Sequence, residues 1–88
     1  MKGMLNGIIK RKKEDGKVSS MLYMAQVPFT KGDQKADVCL GFKTENVWVG
    51  WDVDAKPGDT ISVEYEKSSF DGKAIVSDVV VLERRKEN

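Results

Sequence analysis

The 88-residue chain contains no histidine, a single cysteine and two prolines. Without histidine it lacks the usual general base near neutral pH, the His-based nucleophilic triads and nearly every zinc site of known ligand spacing. Cys39 stands alone, so no intrachain disulfide can form, and it has no imidazole to activate it. That usage fits a reducing cytoplasm. Apolar runs such as Val79 to Leu82 fall far short of the roughly 20 residues of a membrane span. The opening "MKGMLNGIIKRKK" has no apolar h-region and no small-residue cleavage site, so no signal peptide is expected. No window of ten or more residues keeps apolar positions at i, i+3, i+4 and i+7, so no helix is expected.

What remains is a β pattern. β-branched and aromatic residues fall in short runs broken by Gly, Pro and Asp. The first two runs, Met4–Lys13 and Lys17–Phe29, flank Asp15-Gly16, a strong hairpin signal. "TKGDQK" reads as a polar loop. "ADVCLGF" (Ala36–Phe42) reads as a third strand with Ala36, Val38, Leu40 and Phe42 on one face. "KTEN" reads as a tight turn into a fourth strand, Val47–Asp54. "AKPGD" is a Pro-Gly turn. Thr60–Glu66 alternates Ile61, Val63 and Tyr65 with Ser62, Glu64 and Glu66. A second Asp-Gly loop, "KSSFDGK", leads to the last run, Ala74–Glu83, and "RRKEN" is a charged tail. The expected architecture is one all-β domain over residues 1–83, with a tail at 84–88. It is a small five- to six-stranded OB-like barrel with a protruding N-terminal basic hairpin. Gly7, Gly41 and Gly50, inside strand runs, are expected at bends or bulges.

The net charge of +1 conceals a gradient. Residues 1–43 hold nine Lys/Arg and four Asp/Glu, whereas residues 44–88 hold six and ten. The basic half points to an anionic partner. Its densest part is "KRKKEDGK", with Lys10, Arg11, Lys12, Lys13 and Lys17 at a strand end and across a hairpin tip. A cationic two-stranded ribbon suits a phosphate backbone, because each neutralised phosphate releases condensed counterions. It also reads as a solubilising tip. Parity sorts the aromatics. Phe42, Tyr65 and Trp51 share faces with aliphatic residues and are expected in the core. Trp48, Phe70 and Tyr23 are the aromatics that a core explains least. Aromatics beside cations on a β surface stack on unpaired bases. Trp48 is expected to share its face with Asp52 and Asp54, which repel phosphate, so it is assigned to a subunit interface. Asp52 and Asp54 lack a third convergent oxygen ligand for a cation. "FDGK" and "KPGD" are not phosphate loops, which need a glycine-rich turn between strand and helix. No enzymatic activity, metal or cofactor is expected.

In order, "ADVCLG", "VWVGWDVD", "KPGDTISVEYE", "SSF" and "AIVSDVVVLE" resemble the single-stranded-DNA-binding (helix-destabilising) proteins of filamentous bacteriophages. Upstream, "KKEDGKVSSMLY" is similar to their basic DNA-binding wing. The resemblance spans Lys12 to Leu82. It implies a five-stranded OB-type barrel that acts as an intertwined homodimer. It also implies that Arg11, Lys12, Lys13 and Lys17 contact phosphates and that Phe70 meets bases. The chain departs from the family at Val18, where an aromatic is usual, and at the acidic pair Asp52 and Asp54.

The expected function is therefore sequence-nonspecific binding of single-stranded DNA, or RNA, in replication or recombination. Lys10, Arg11, Lys12, Lys13, Lys17, Lys31, Lys35 and Lys73 would track the backbone, and Tyr23 and Phe70 would stack. The expected setting is a bacterial cytoplasm, with a phage or mobile element as the source, and no membrane partner. The rival reading is a protein-interaction module on the same barrel, gripping another chain through Trp48 and a sheet edge.

Overall fold

A computed structural model describes residues 1–67 and 72–85. It is all-β, with strands β1 (Lys2–Lys12), β2 (Val18–Val27), β3 (Lys43–Val49), β4 (Thr60–Lys67) and β5 (Ala74–Glu83). All pair antiparallel in one sheet of order β3-β2-β1-β4-β5. Among the described residues, helical structure is confined to a 3-10 turn, Asp33–Lys35.

Asp15-Gly16 makes the first hairpin as expected. The Lys13 N–H donates to the Lys17 carbonyl at 2.8 Å, and the Gly16 N–H donates to the Lys13 carbonyl at 2.9 Å. The Asp15 carboxylate accepts the Lys17 N–H at 3.0 Å. Gly16 closes the turn at φ +86°, a conformation that suits a residue without Cβ.

The strand order is that of an OB-type barrel opened between β3 and β5, and the sheet does not close. The reason lies in β1. Only Lys2 to Met4 face β4, opposite Ser62 to Thr60, and pairing with β2 begins at Met4, opposite Ala25. At Asn6 the β1–β2 register shifts by one residue, a bulge that bends the strand. Beyond it, β1 pairs with β2 alone. Because β1 and β4 are antiparallel, the two hairpins leave their short overlap in opposite directions. The molecule is accordingly flat, 49 × 46 × 18 Å, with a radius of gyration of 14.7 Å. A compact chain of this length would give about 12 Å.

The core lies on one face. Leu5, Leu22, Met24 and Val27 meet Val47 and Val49 of β3, Val53 and Ala55 of the following segment, and Ile61 and Val63 of β4. The knot between the hairpins is Asp59, which is 2% exposed. Its carboxylate accepts the Arg85 N–H at 2.8 Å and the Lys56 N–H at 2.9 Å. Its carbonyl accepts the Leu5 N–H at 2.8 Å, and the Leu5 carbonyl accepts the Gly58 N–H at 2.7 Å. The Arg85 and Lys56 donors hold the Asp59 carboxyl below the ordinary carboxylate value. Arg84 adds its guanidinium at 3.6 Å, so the first two residues of the charged tail are tied down. Gly58 is required here. It sits at φ +98°, and a Cβ would lie 2.6 Å from Arg85 Cδ.

Several expectations give way to the structure. Ala36–Phe42 is not a strand: Val38, Leu40 and Phe42 are 73%, 82% and 65% exposed. The free edge of β2 is taken by the next segment, Lys43–Val49, so "KTEN" is strand rather than turn. Trp51 is 40% exposed, not core, because β3 ends at Val49 and the chain bends through Gly50 and Trp51. Tyr65 is 44% exposed although Ile61 and Val63 are fully buried. Past Val63, β4 runs beyond the core with β5 as its partner.

Candidate nucleic-acid interface

Lys10, Arg11 and Lys12 end β1, and Lys13 and Lys17 flank the turn; all five are exposed. Strand alternation divides them. Arg11 lies opposite Ser19 and shares a face with Ile9. Lys10 and Lys12 occupy the other face, continuous with the core side that carries Ile8 and Leu22.

Lys10 is not unpaired. Its ammonium lies 2.6 Å from an Asp52 carboxylate oxygen. A buried hydroxyl explains how Asp52 reaches it. Ser20, directly opposite Lys10 and 1% exposed, donates to the Trp51 carbonyl at 2.8 Å and accepts the Val53 N–H at 3.1 Å. This clip lays segment 51–53 across the core side of β2. Asp54, 95% exposed at its side chain, lies 3.8 Å from the Arg84 guanidinium. Neither acid therefore shares a face with Trp48, because strand alternation ends with β3 at Val49.

Trp48 does point outward, 57% exposed, on the face opposite the core. It pairs with Met21, which pairs with Ile9. Tyr23, half-buried, lies on this same outer face between Gly7 and Asn46. Within single strands each of these residues looked like an isolated apolar side chain. The row emerges when the Asp15-Gly16 turn sets the β1–β2 register and β3 is added beside it.

The other candidates lie elsewhere. Lys31 and Lys35 are in the loop after β2, at the end away from the hairpin tip, roughly 30 Å off at strand spacing. In that loop Asp33 and Thr30 exchange side-chain to backbone bonds at 3.0 and 3.1 Å. Hydrogen bonds from the Thr30 backbone and side chain to the carboxylate draw the Asp33 carboxyl below its usual value. Lys43, at the start of β3, lies 2.9 Å from Glu45 and 3.6 Å from Asp33, so the basic character of this end is largely offset. Lys73 immediately precedes β5, on the hairpin that extends the opposite way. Phe70 falls outside the described residues. The structure thus gathers Lys10, Arg11, Lys12, Lys13 and Lys17 and sets Tyr23 further along the same hairpin.

Among the described residues, no group of three or more His, Cys, Asp or Glu side chains could hold a metal ion, and no helix is long and apolar enough to cross a membrane. No family profile, curated protein or solved structure matches this chain.

Proposed function

We propose that this chain binds single-stranded DNA without strong sequence preference, as a homodimer. The observation that carries the proposal is the exposed basic arm: five Lys/Arg against Glu14 and Asp15 over residues 10–17, on a two-stranded ribbon that stands clear of the core. A rigid cationic ribbon tracks phosphates by counterion release, and stacking on Tyr23 holds unpaired bases. The motif order that resembles the filamentous-phage proteins supports the same reading. The homodimer is supported by the open edges of β3 and β5 and by the exposed apolar side chains of Ile75, Val80 and Leu82 on β5.

The test is anisotropy titration of labelled dT, rU and duplex oligonucleotides across a salt series, with sedimentation for the oligomeric state. With Arg11, Lys12, Lys13 and Lys17 in contact, log K against log[salt] should fall with a slope of about −3, from roughly −0.7 per phosphate. Absence of binding at low salt overturns the proposal. Equal affinity for rU would widen the substrate class to single-stranded RNA.

One observation favours the rival reading of a protein-docking module. The 36–42 loop displays Val38, Leu40 and Phe42 to solvent. That reading predicts no salt-dependent oligonucleotide binding by the parent chain.

A further inference from the structure

We infer that Trp48 is a base-stacking residue and that the outer face of β1, β2 and β3 is the platform on which unpaired bases lie. This rests on the DNA-binding reading above and moves Trp48 from a subunit interface to the nucleic-acid site. Three observations carry it. First, Ile9, Met21 and Trp48 form one cross-strand row. Two strand spacings of about 4.8 Å make the row about 10 Å wide, enough for the face of one base. Its ends are open: Ile9 is 41% and Trp48 57% exposed. Second, Tyr23 is the diagonal neighbour of Trp48, since it pairs with Asn46. Diagonal neighbours lie about 7–8 Å apart, so the two rings offer successive π-faces to a strand drawn past them.

Third, the charge of this face suits a polyanion. Among the described residues of β1, β2 and β3, strand alternation puts no carboxylate on it beyond the bulge, and Arg11 is its charged member. Arg11 lies next to Ile9 on the tip side, so a strand whose phosphates run along the basic arm lays its bases onto the row. Asp52, the strongest objection to Trp48, is held on the opposite side by the Ser20 clip and bonded to Lys10. The position of Trp48 is also defined. Its ring lies over Gly50, where a Cβ would stand 3.3 Å from Trp48 Cη2. The indole therefore lies along the strand with space that a larger residue at 50 would close.

The experiment compares a dT oligonucleotide with an abasic oligonucleotide of equal length, which keeps the phosphates and removes the bases. Trp48→Ala is expected to weaken dT binding about 5- to 100-fold and leave abasic binding within about twofold. Trp48→Phe should recover part of the loss. In a Trp51→Phe background, Trp48 emission should be quenched by dT and not by the abasic strand. Equal dT affinity in Trp48→Ala and the parent overturns the inference and leaves the basic-arm reading standing. Conversion of a dimer to a monomer by Trp48→Ala, with abasic binding also lost, returns Trp48 to a subunit interface. Failure of the parent to bind either oligonucleotide removes the DNA-binding reading itself, and this inference with it.

Discussion

The two hairpins of this molecule are built alike and charged oppositely. β1–β2, residues 2–27, carries six Lys/Arg and two Asp/Glu; β4–β5, residues 60–83, carries two and five. Each begins in the shared core and ends in a two-stranded ribbon beyond it. Each outruns its apolar support: burial in β1 ends after Leu5 apart from the half-buried Gly7 and Ile8, and in β4 it ends after Val63. The backbone requirements of a ribbon are satisfied in both, so the projecting residues answer to something other than folding. On one arm they are cations around a glycine turn. On the other they are acids alternating with Tyr65, and exposed Ile75, Val80 and Leu82 along β5. Ladder pairing makes the arms, and the side chains past the core make them different surfaces.

The sharpest way to break that comparison is at the core both arms share. Leu22 is fully buried between Ile8 and Val47 in the cross-strand row. Leu22→Ala should cost about 2–5 kcal/mol in urea denaturation, a large share of the stability of a domain this size. Amide exchange should speed in both hairpins together. Protection kept in β4–β5 alone would mean that the arms fold independently.

Next comes the knot that joins them. The depressed value of Asp59 has a definite consequence for pH. Its contribution to stability is fully present above the unfolded carboxyl value of about 4 and is lost as pH falls through the lower folded value. Acid titration of the melting temperature should therefore show a drop below about pH 4. Asp59→Asn should flatten that drop and lower the midpoint at neutral pH, because one amide oxygen replaces two carboxylate acceptors. An unchanged acid limb would place the sensitivity at other carboxylates, with Asp33 the first to examine.

The difference in charge is tested by neutralising each arm in turn. Lys12, Lys13 and Lys17 changed to Gln should make the salt slope shallower by about 2 and weaken dT binding about 100-fold at 0.1 M salt. Stability should stay within about 0.5 kcal/mol, as these are exposed tip residues. Glu64→Gln with Asp78→Asn on the other arm should leave DNA affinity within about twofold, because that arm extends away from the basic tip by more than a Debye length of about 10 Å. Equal effects from the two arms would sink the functional contrast.

Much of this was legible in the sequence, and the parts that were not share a cause. Asp15-Gly16 and the alternation of Thr60–Glu66 announced hairpins because turn chemistry and a period of two are local. The last strand, Ala74–Glu83, was placed at its observed bounds. Ala36–Phe42 alternated just as cleanly and is a loop. Alternation shows that a segment could pair, but not that an edge is free, and Lys43–Val49 holds that edge. "KTEN" was missed for the complementary reason: its outward Thr44 and Asn46 look like turn residues until β2 lies beside them. Parity failed at Trp51 because a bend at Gly50 ends the strand, and at Tyr65 because the core ends first. In the candidate site, the cations were visible as a run. The Ile9–Met21–Trp48 row was not, since it exists across three strands rather than along one.

The smallest expected effect concerns Asp52, an acid from outside the basic arm that is ion-paired to it. Asp52 holds Lys10 at 2.6 Å, with both side chains about half exposed. If the arm binds DNA as proposed, a phosphate must displace that carboxylate before Lys10 can join the other cations. Exposed ion pairs contribute about 0.2–1 kcal/mol, so removing this competitor should tighten dT binding by about 1.5- to 5-fold. Asp52→Asn leaves the backbone clip to Ser20 intact, because that clip uses the Trp51 carbonyl and the Val53 N–H. Thermal stability should therefore hold within about 0.5 kcal/mol while the salt slope steepens by roughly 0.7, the increment of one added phosphate contact. Lys10→Gln made in the Asp52→Asn background should cancel both changes. If Asp52→Asn tightens binding and Lys10→Gln does not reverse it, the gain came from the general field of the arm rather than from a released lysine. If neither substitution alters the slope, Lys10 stands apart from the DNA path, and the cationic track begins at Arg11.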